Sequence, residues 1–287
     1  MGGWEFGTFN RLFYPSKVRT AAGGGHKLEY YSQFFDSVEV NATFYNAAFT
    51  AEHSRRWLQD VSANKNFMFT VKLFHGFTHT FAATNDDVRS VRSLLEPIAA
   101  AEKLGGVLLQ FPSSFINTLE HRKYLLQFSK VFYPYRVFIE VRHNSWDTPL
   151  VSNLLQEHKL HSVNVDLPRI RQHIPFKNEA WDGVAYYRLM GRNGAGWSSG
   201  ERGDYCYSVR DLGSIAARVK AAVGGQPLPS SAFVVFHNVA DYALNNGLQL
   251  QSLLERRPHV SRVIVRSVPT FQQIAVPTLP LPLFAQA

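Results

Sequence analysis

Short apolar, β-branched or aromatic runs alternate with longer helical patterns along the whole chain. Runs at 4–7, 37–41, 67–72, 106–111, 137–142, 161–166, 184–189 and 233–238 have the composition of strands. Between them the spacing predicts helices at 27–35, 52–58, 87–104, 119–131, 149–158, 209–223 and 240–256. In the 87–104 segment, Val88, Val91, Leu94, Leu95 and Ile98 share one helical stripe, opened by Asp86 and Asp87 and closed by Gly105-Gly106. Pro97 within it predicts a kink or a division into two helices. Eight strands interleaved with helices over about 250 residues predict an α/β fold, a closed parallel (β/α)8 barrel of the TIM type. An open doubly wound sheet is the alternative, and the lack of Gly-x-Gly-x-x-Gly after the first strand weakens its dinucleotide-binding version.

Residues 1–267 read as a single barrel domain and 268–287 as a Pro-rich C-terminal tail, since Pro269, Pro277, Pro280 and Pro282 forbid a regular helix. The Gly- and Ser-rich stretch 191–204 follows the seventh strand and reads as a long mouth loop; a surface insertion without function explains its composition equally well.

Alternation within the strands places the candidate chemistry. Side chains along a strand point to opposite faces. If Val38 and Val40 meet the helices, Glu39 and Asn41 face the barrel axis. Val137, Ile139 and Val141 likewise alternate with Glu140 and Arg142, Val163 and Val165 with Asn164 and Asp166, and Tyr187 and Leu189 with Tyr186 and Arg188. Lys72 ends the third predicted strand, Gln110 lies near the end of the fourth, and Asn238 ends the eighth. Barrel interiors are usually filled by branched apolar residues and active sites collect at the C-terminal mouth, so polar residues at most strand ends point to a site there. A competing reading is a self-neutralising network of Glu39, Glu140 and Asp166 with Lys72, Arg142 and Arg188 that fixes the interior; against it stands a desolvation penalty of about several kcal/mol per ion.

Composition narrows the classes. The chain has 287 residues, 45% hydrophobic and 14% aromatic, enough apolar surface to exclude general disorder. One cysteine, Cys206, excludes a disulfide framework and an all-cysteine zinc cluster; its setting, Tyr205-Cys206-Tyr207, predicts a buried apolar residue rather than a reactive thiol. No apolar run approaches the roughly 20 residues of a membrane span, and the opening residues lack the cationic start and apolar stretch of a secretory leader. A reduced, cytoplasmic, soluble protein with no membrane partner is expected. The net charge of +8 suits anionic partners, yet the basic residues are scattered, so nucleic acid is the less favoured partner and a small anionic substrate the favoured one.

The reaction stays open among hydrolase, lyase and isomerase chemistry. Glu39, Glu140, Lys72 and Arg188 are the candidate catalytic residues, the glutamates as acid and base and the cations, with Arg142, as anion clamps. Asn41, Gln110, Asp166 and Asn238 would orient substrate, and Tyr45 and Trp146 would form an apolar wall. Glu39, Glu140, Asp166, His79 and His237 could supply mixed oxygen–nitrogen metal ligands, but no His-x-His or His-Glu-x-x-His spacing occurs, so no metal site is assigned and the cofactor is unknown. No Gly-x-Ser-x-Gly elbow or P-loop is present.

The strand-end segments resemble the YecE-like proteins, a family of unknown function catalogued as DUF72. The resemblance rests on Phe13-Tyr14-Pro15, Val38-Glu39-Val40-Asn41 with Thr43-Phe44-Tyr45, Phe69-Thr70-Val71-Lys72 with Thr78-His79, and Leu109-Gln110-Phe111-Pro112. It continues through Glu140-Val141-Arg142-His143 with Ser145-Trp146, then Asp166 and Tyr187-Arg188-Leu189 with Gly191. It implies a β/α barrel and candidate residues, not a reaction. Three departures stand out: Met190 where the family often has His, Phe236-His237-Asn238 in place of Phe-Asn-Asn, and a shortened opening, Gly2-Gly3-Trp4. The expected function is therefore an enzyme acting on a small anionic or phosphorylated substrate at the mouth. The alternative is a protein that holds nucleic acid or a metabolite without turnover.

Overall fold

A computed structural model of the protein describes residues 1–5, 13–19, 27–199, 203–225 and 230–255. In chain order the elements are α1 (Ser16–Arg19), α2 (Lys27–Ser32), β1 (Ser37–Val40), α3 (Ala42–Tyr45), α4 (Ala51–Asp60), β2 (Met68–Lys72), α5 (Asn85–Ala100) and β3 (Leu104–Gln110). They continue as α6 (Leu119–Val131), β4 (Val137–Glu140), α7 (Pro149–Glu157), β5 (Leu160–Ser162), β6 (Asn164–Asp166), β7 (Val184–Leu189), α8 (Gly194–Ser199), α9 (Val209–Gly224), β8 (Ser231–Phe236) and α10 (Ala240–Glu255). Capping fixes the helix starts. Thr84 Oγ1 accepts from the Asp87 N–H while Asp87 accepts from the Thr84 N–H at 2.7 Å, and Ser208 with Asp211 does the same for α9. Helix α5 runs unbroken through Pro97 and buries Val91, Leu94, Leu95 and Ile98, so the expected division into two helices does not occur.

Among the described residues, the expected single closed eight-stranded sheet is not formed. Strands β1 to β5 make one parallel sheet in sequence order and β6 to β8 make a second. The predicted 161–166 strand is divided between them. The Val163 N–H still donates to Ile139 O on the β4 side at 3.0 Å, but Asn164 already pairs with Tyr187 of β7. At the other seam, no ladder joins β8 to β1 among the described residues. Residues 4 and 5 of the predicted first strand are not in a sheet; 6 and 7 lie outside the described residues. Instead Met1 O accepts from the Glu39 N–H at 3.0 Å, and Gly2 O accepts from Asn41 Nδ2 at 3.0 Å. Gly2 fits here because it has no side chain: a Cβ would stand 2.4 Å from His237 Cε1.

Two cores result. The larger lies between strands and helices and holds Val38, Val40, Val107, Leu109, Ile139 and Tyr187 with Leu94, Ile98, Ile215 and Leu244. The smaller is enclosed by the strands themselves and consists of Leu108, Phe138, Val163, Val184, Tyr186, Phe233 and Val235. Val163 belongs to this inner core, opposite to the face expected for it, because the strand changes sheets at that residue. Gly106, at φ 148°, makes room for Phe138 to enter the interior: a Cβ there would lie 2.7 Å from both Arg136 O and the Phe138 ring. The 191–204 stretch contains α8 rather than being loop throughout. The Pro-rich tail lies outside the described residues.

Candidate functional site

Above the inner core, the C-terminal ends of β1, β4 and β7 bring Glu39, Glu140 and Arg188 together. Arg188 Nε donates to Glu39 Oε2 at 2.9 Å, Nη2 donates to Glu39 Oε1 at 2.8 Å, and Nη1 donates to Glu140 Oε2. Arg142 Nε donates to Glu140 Oε1 at 2.7 Å. Tyr186 donates to Glu39 Oε2 at 2.7 Å and also contacts Thr70 Oγ1 at 2.8 Å, tying β7 to β1 and β2. His237 Nε2 stands 2.8 Å from both Glu39 Oε1 and Arg188 Nη2. Glu39, Glu140 and Arg188 are fully buried.

This arrangement decides the protonation states. Burial alone would push both carboxyls up, but Arg188 overrides it: Glu39 lies well below the usual carboxylate range and Glu140 at about 2. Arg188 is raised, because its two carboxylate partners outweigh desolvation. Burial, reinforced by Arg188, lowers His237 to about 4 despite Glu39, so the ring is neutral at pH 7. Both glutamates are therefore fixed as anions, and Arg188 spends its donors on them.

Lys72 differs. It ends β2, with its carbonyl held by Thr43 Oγ1 at 2.6 Å and its Nζ 3.8 Å from the centre of the Phe44 ring. Among the described residues, Nζ makes no hydrogen bond or ion pair. Burial and then Arg188 lower its pKa to about 7, against a smaller opposing pull from Glu39 and Glu140. The two carboxylates offset Arg188 and Arg142, so protonated Lys72 leaves the cluster one positive charge. The Phe44 ring also meets His79 at 4.9 Å, His75 at 5.9 Å and Tyr45 at 5.0 Å between centroids. His79 is lowered by burial and by Lys72.

The other expected residues scatter. Gln110 is buried and donates to Phe111 O at 2.8 Å. Asn41 and Asn238 are committed through their amide nitrogens, to Gly2 O and to Tyr205 O and Asn246 Oδ1, while each Oδ1 is buried without a partner among the described residues. Trp146 is buried, stacked on Phe115 and donating to Phe115 O at 2.6 Å, which makes it a core residue rather than a pocket wall. Tyr45 is 77% exposed on the rim. Asp166 does not join the glutamates: it accepts from Arg192 Nε at 2.8 Å, and Arg192 Nη1 donates onward to Asp211 at 2.6 Å. Cys206 is exposed, contrary to the expected burial. Nor do the five mixed ligands assemble. Among the described residues, no three His, Cys, Asp or Glu side chains are grouped to hold a metal ion.

Comparison with known proteins gives the relationship. The family model described as "Protein of unknown function DUF72" matches residues 1–272. The chain belongs to the DUF72 family. It is 28% identical over 264 residues to the UPF0759 protein YunF of Bacillus subtilis (strain 168), an alignment covering 84% of this chain and 90% of that one. It is similar to the crystal structure of a DUF72 family protein from Thermotoga maritima MSB8, with a TM-score of 0.72 and 28% identity over 88% of this chain and 97% of the other. A DUF72 family protein from Enterococcus faecalis V583 gives a TM-score of 0.71 and 26% identity, covering 79% and 92%. Among the described residues of this DUF72 chain, no helix is long and apolar enough to cross a membrane.

Three further residues complete this cluster and are not among those the sequence predicts. Tyr186 was legible, two residues before Arg188 on the same strand face. Thr70 was equally legible, two before Lys72. Phe44 had no local signal, because its role depends on α3 folding over the end of β2.

Proposed function

We propose that this DUF72 protein is an enzyme whose substrate is a small anionic or phosphorylated molecule bound at the C-terminal rim of the strands. The wall of the site is then a barrel-like unit of two sheets, with residues 1–2 filling the β8–β1 seam. Glu39, Glu140 and Arg188 act as a rigid, neutralised floor rather than as acid, base and clamp. The chemistry falls to Lys72, which can exchange a proton near neutral pH. Arg142 anchors the anion: its Nε is committed to Glu140, and its terminal nitrogens have no hydrogen-bond partner among the described residues. The observation that carries this reading is the half-buried Lys72 amine, unpaired beside two guanidinium groups and adding the one uncompensated charge.

Thermal unfolding with inorganic phosphate or pyruvate tests it. An anion at about 100 times its dissociation constant adds about 2.7 kcal/mol of stability. That raises the Tm by roughly 4–5 °C for a chain of this size. The gain should shrink in Lys72→Met and Arg142→Gln and weaken as pH rises through about 7, where Lys72 loses its charge. Equal stabilisation of wild type and both variants removes the site. If an anion binds with the same affinity to wild type and Lys72→Met, a binder without lysine chemistry is the correct reading.

A further inference from the structure

We propose that Lys72 is a Schiff-base lysine, its ε-amine condensing with the carbonyl carbon of a small aldehyde or ketone that also carries a carboxylate or phosphate. This rests on the anion-site reading above and adds the substrate's reactive group.

Placement argues for it first. Thr43 Oγ1 lies within hydrogen-bond distance of both Val40 O and Lys72 O, at 3.1 and 2.6 Å, so the β2 end is fixed against β1. The side chain lies along the Phe44 ring and is half-buried, so it is desolvated yet reachable from the rim. Other lysines of the chain are differently placed. Lys177 is ion-paired with Asp147 and Glu179 at 2.8 and 2.9 Å, and those carboxylates raise its pKa against burial. Lys103 Nζ donates to the carbonyls of Asn64, Lys65 and Phe67. A bonded ammonium has no free electron pair; Lys72 has nothing to release.

The pKa of about 7 supports the same role. Half of the Lys72 amine is then neutral at pH 7, whereas a lysine near the ordinary 10.4 is neutral in only about 1 molecule in 2,500. In the reaction the nitrogen pair forms a bond to the carbonyl carbon and the C=O π pair moves to oxygen. The resulting carbinolamine loses that oxygen as water together with the amine's two protons, leaving C=N. Protonation gives an iminium cation facing the Phe44 ring, an interaction of the cation–π kind. Arg142 meets the anionic group, as an extended fork suited to carboxylate or phosphate.

The test is reductive trapping of the whole protein at pH 7 with sodium cyanoborohydride, using glyoxylate and dihydroxyacetone phosphate as anionic carbonyls and propanal as the neutral control. Peptide mass spectrometry then locates the reduced adducts. Lys72 should be labelled at least tenfold faster than any other lysine by either anionic probe. The preference should fall severalfold with propanal, and in Arg142→Gln with the anionic probes. Adducts spread evenly over the lysines, or none at Lys72, while phosphate still stabilises the fold, would overturn the Schiff base and leave the anion site standing. No Lys72 adduct together with no stabilisation by phosphate would remove both. Site mapping on the wild type makes the result independent of whether any Lys72 variant folds.

Discussion

Arg188→Met leaves two carboxylates buried without the cation that holds them. Arg188 makes three contacts to Glu39 and Glu140 and one to His237, all in a fully buried setting. Breaking a buried ion pair from one side costs about 3–5 kcal/mol. Charge-assisted hydrogen bonds worth about 1.5–3 kcal/mol each set the same scale without adding linearly. Arg142 still accompanies Glu140, so the stranded charge is that of Glu39, and the Glu39–His237 pair answers by taking up a proton. The sign follows. In the wild type, the depressed Glu140 contributes stability that is present above the unfolded value of about 4.3 and lost as pH falls through about 2. In the variant the native state holds one proton more than the wild type, so its deficit widens as pH rises from 5 to 8, by at most about 1.4 kcal/mol per pH unit. Urea unfolding at pH 5, 6, 7 and 8 measures this directly. The triple variant Glu39→Gln, Glu140→Gln, Arg188→Met should recover to within about 2 kcal/mol of wild type, since uncharged replacements remove the penalty. A loss under 1 kcal/mol for Arg188→Met, or a pH dependence parallel to wild type, would refute the view that Arg188 neutralises this floor.

His161 is buried between Phe138 and Trp181, and burial, with Arg136, lowers it to about 3. Its neutral form therefore contributes stability that is complete above the unfolded value of about 6.5 and lost progressively as pH falls toward 3. His161→Phe should flatten that slope by up to about 1.4 kcal/mol per pH unit in acid-titration unfolding, and an unchanged slope would show the ring is solvated. Gly106→Ala should destabilise the fold by about 1–3 kcal/mol or more, because positive φ and the close approach of Arg136 O both oppose a Cβ. A Tm within 1 °C of wild type would contradict the close β3–β4 approach.

Alternation was readable wherever a strand stayed within one sheet along its length. Val38 and Val40, Val137 and Ile139, and Tyr187 and Leu189 all pack on the helix side as expected, which is why Glu39, Glu140 and Arg188 meet. Alternation breaks at Val163, where the chain leaves β4 for β7 within one residue; nothing in His161-Ser162-Val163-Asn164 announces the exchange. Asp166 pairs with Arg192 from the segment after β7, a partner that strand alternation does not reveal. The count of eight strands was matched for the wrong reason: one expected strand is absent among the described residues and another is divided. The DUF72 resemblance identified the family. It could not show which of the strand-end cations is unpaired, because that depends on distances between residues as far apart in sequence as Glu39 and Arg188.

The chemistry proposed for this site requires Lys72 to give up its proton near neutrality. Lysine side-chain NMR of the protein carrying isotope-labelled lysine, with Lys72 assigned through Lys72→Arg, measures it. One resonance should titrate at about 7 and disappear in the variant. A Lys72 resonance titrating near the ordinary value of about 10.4 would contradict it.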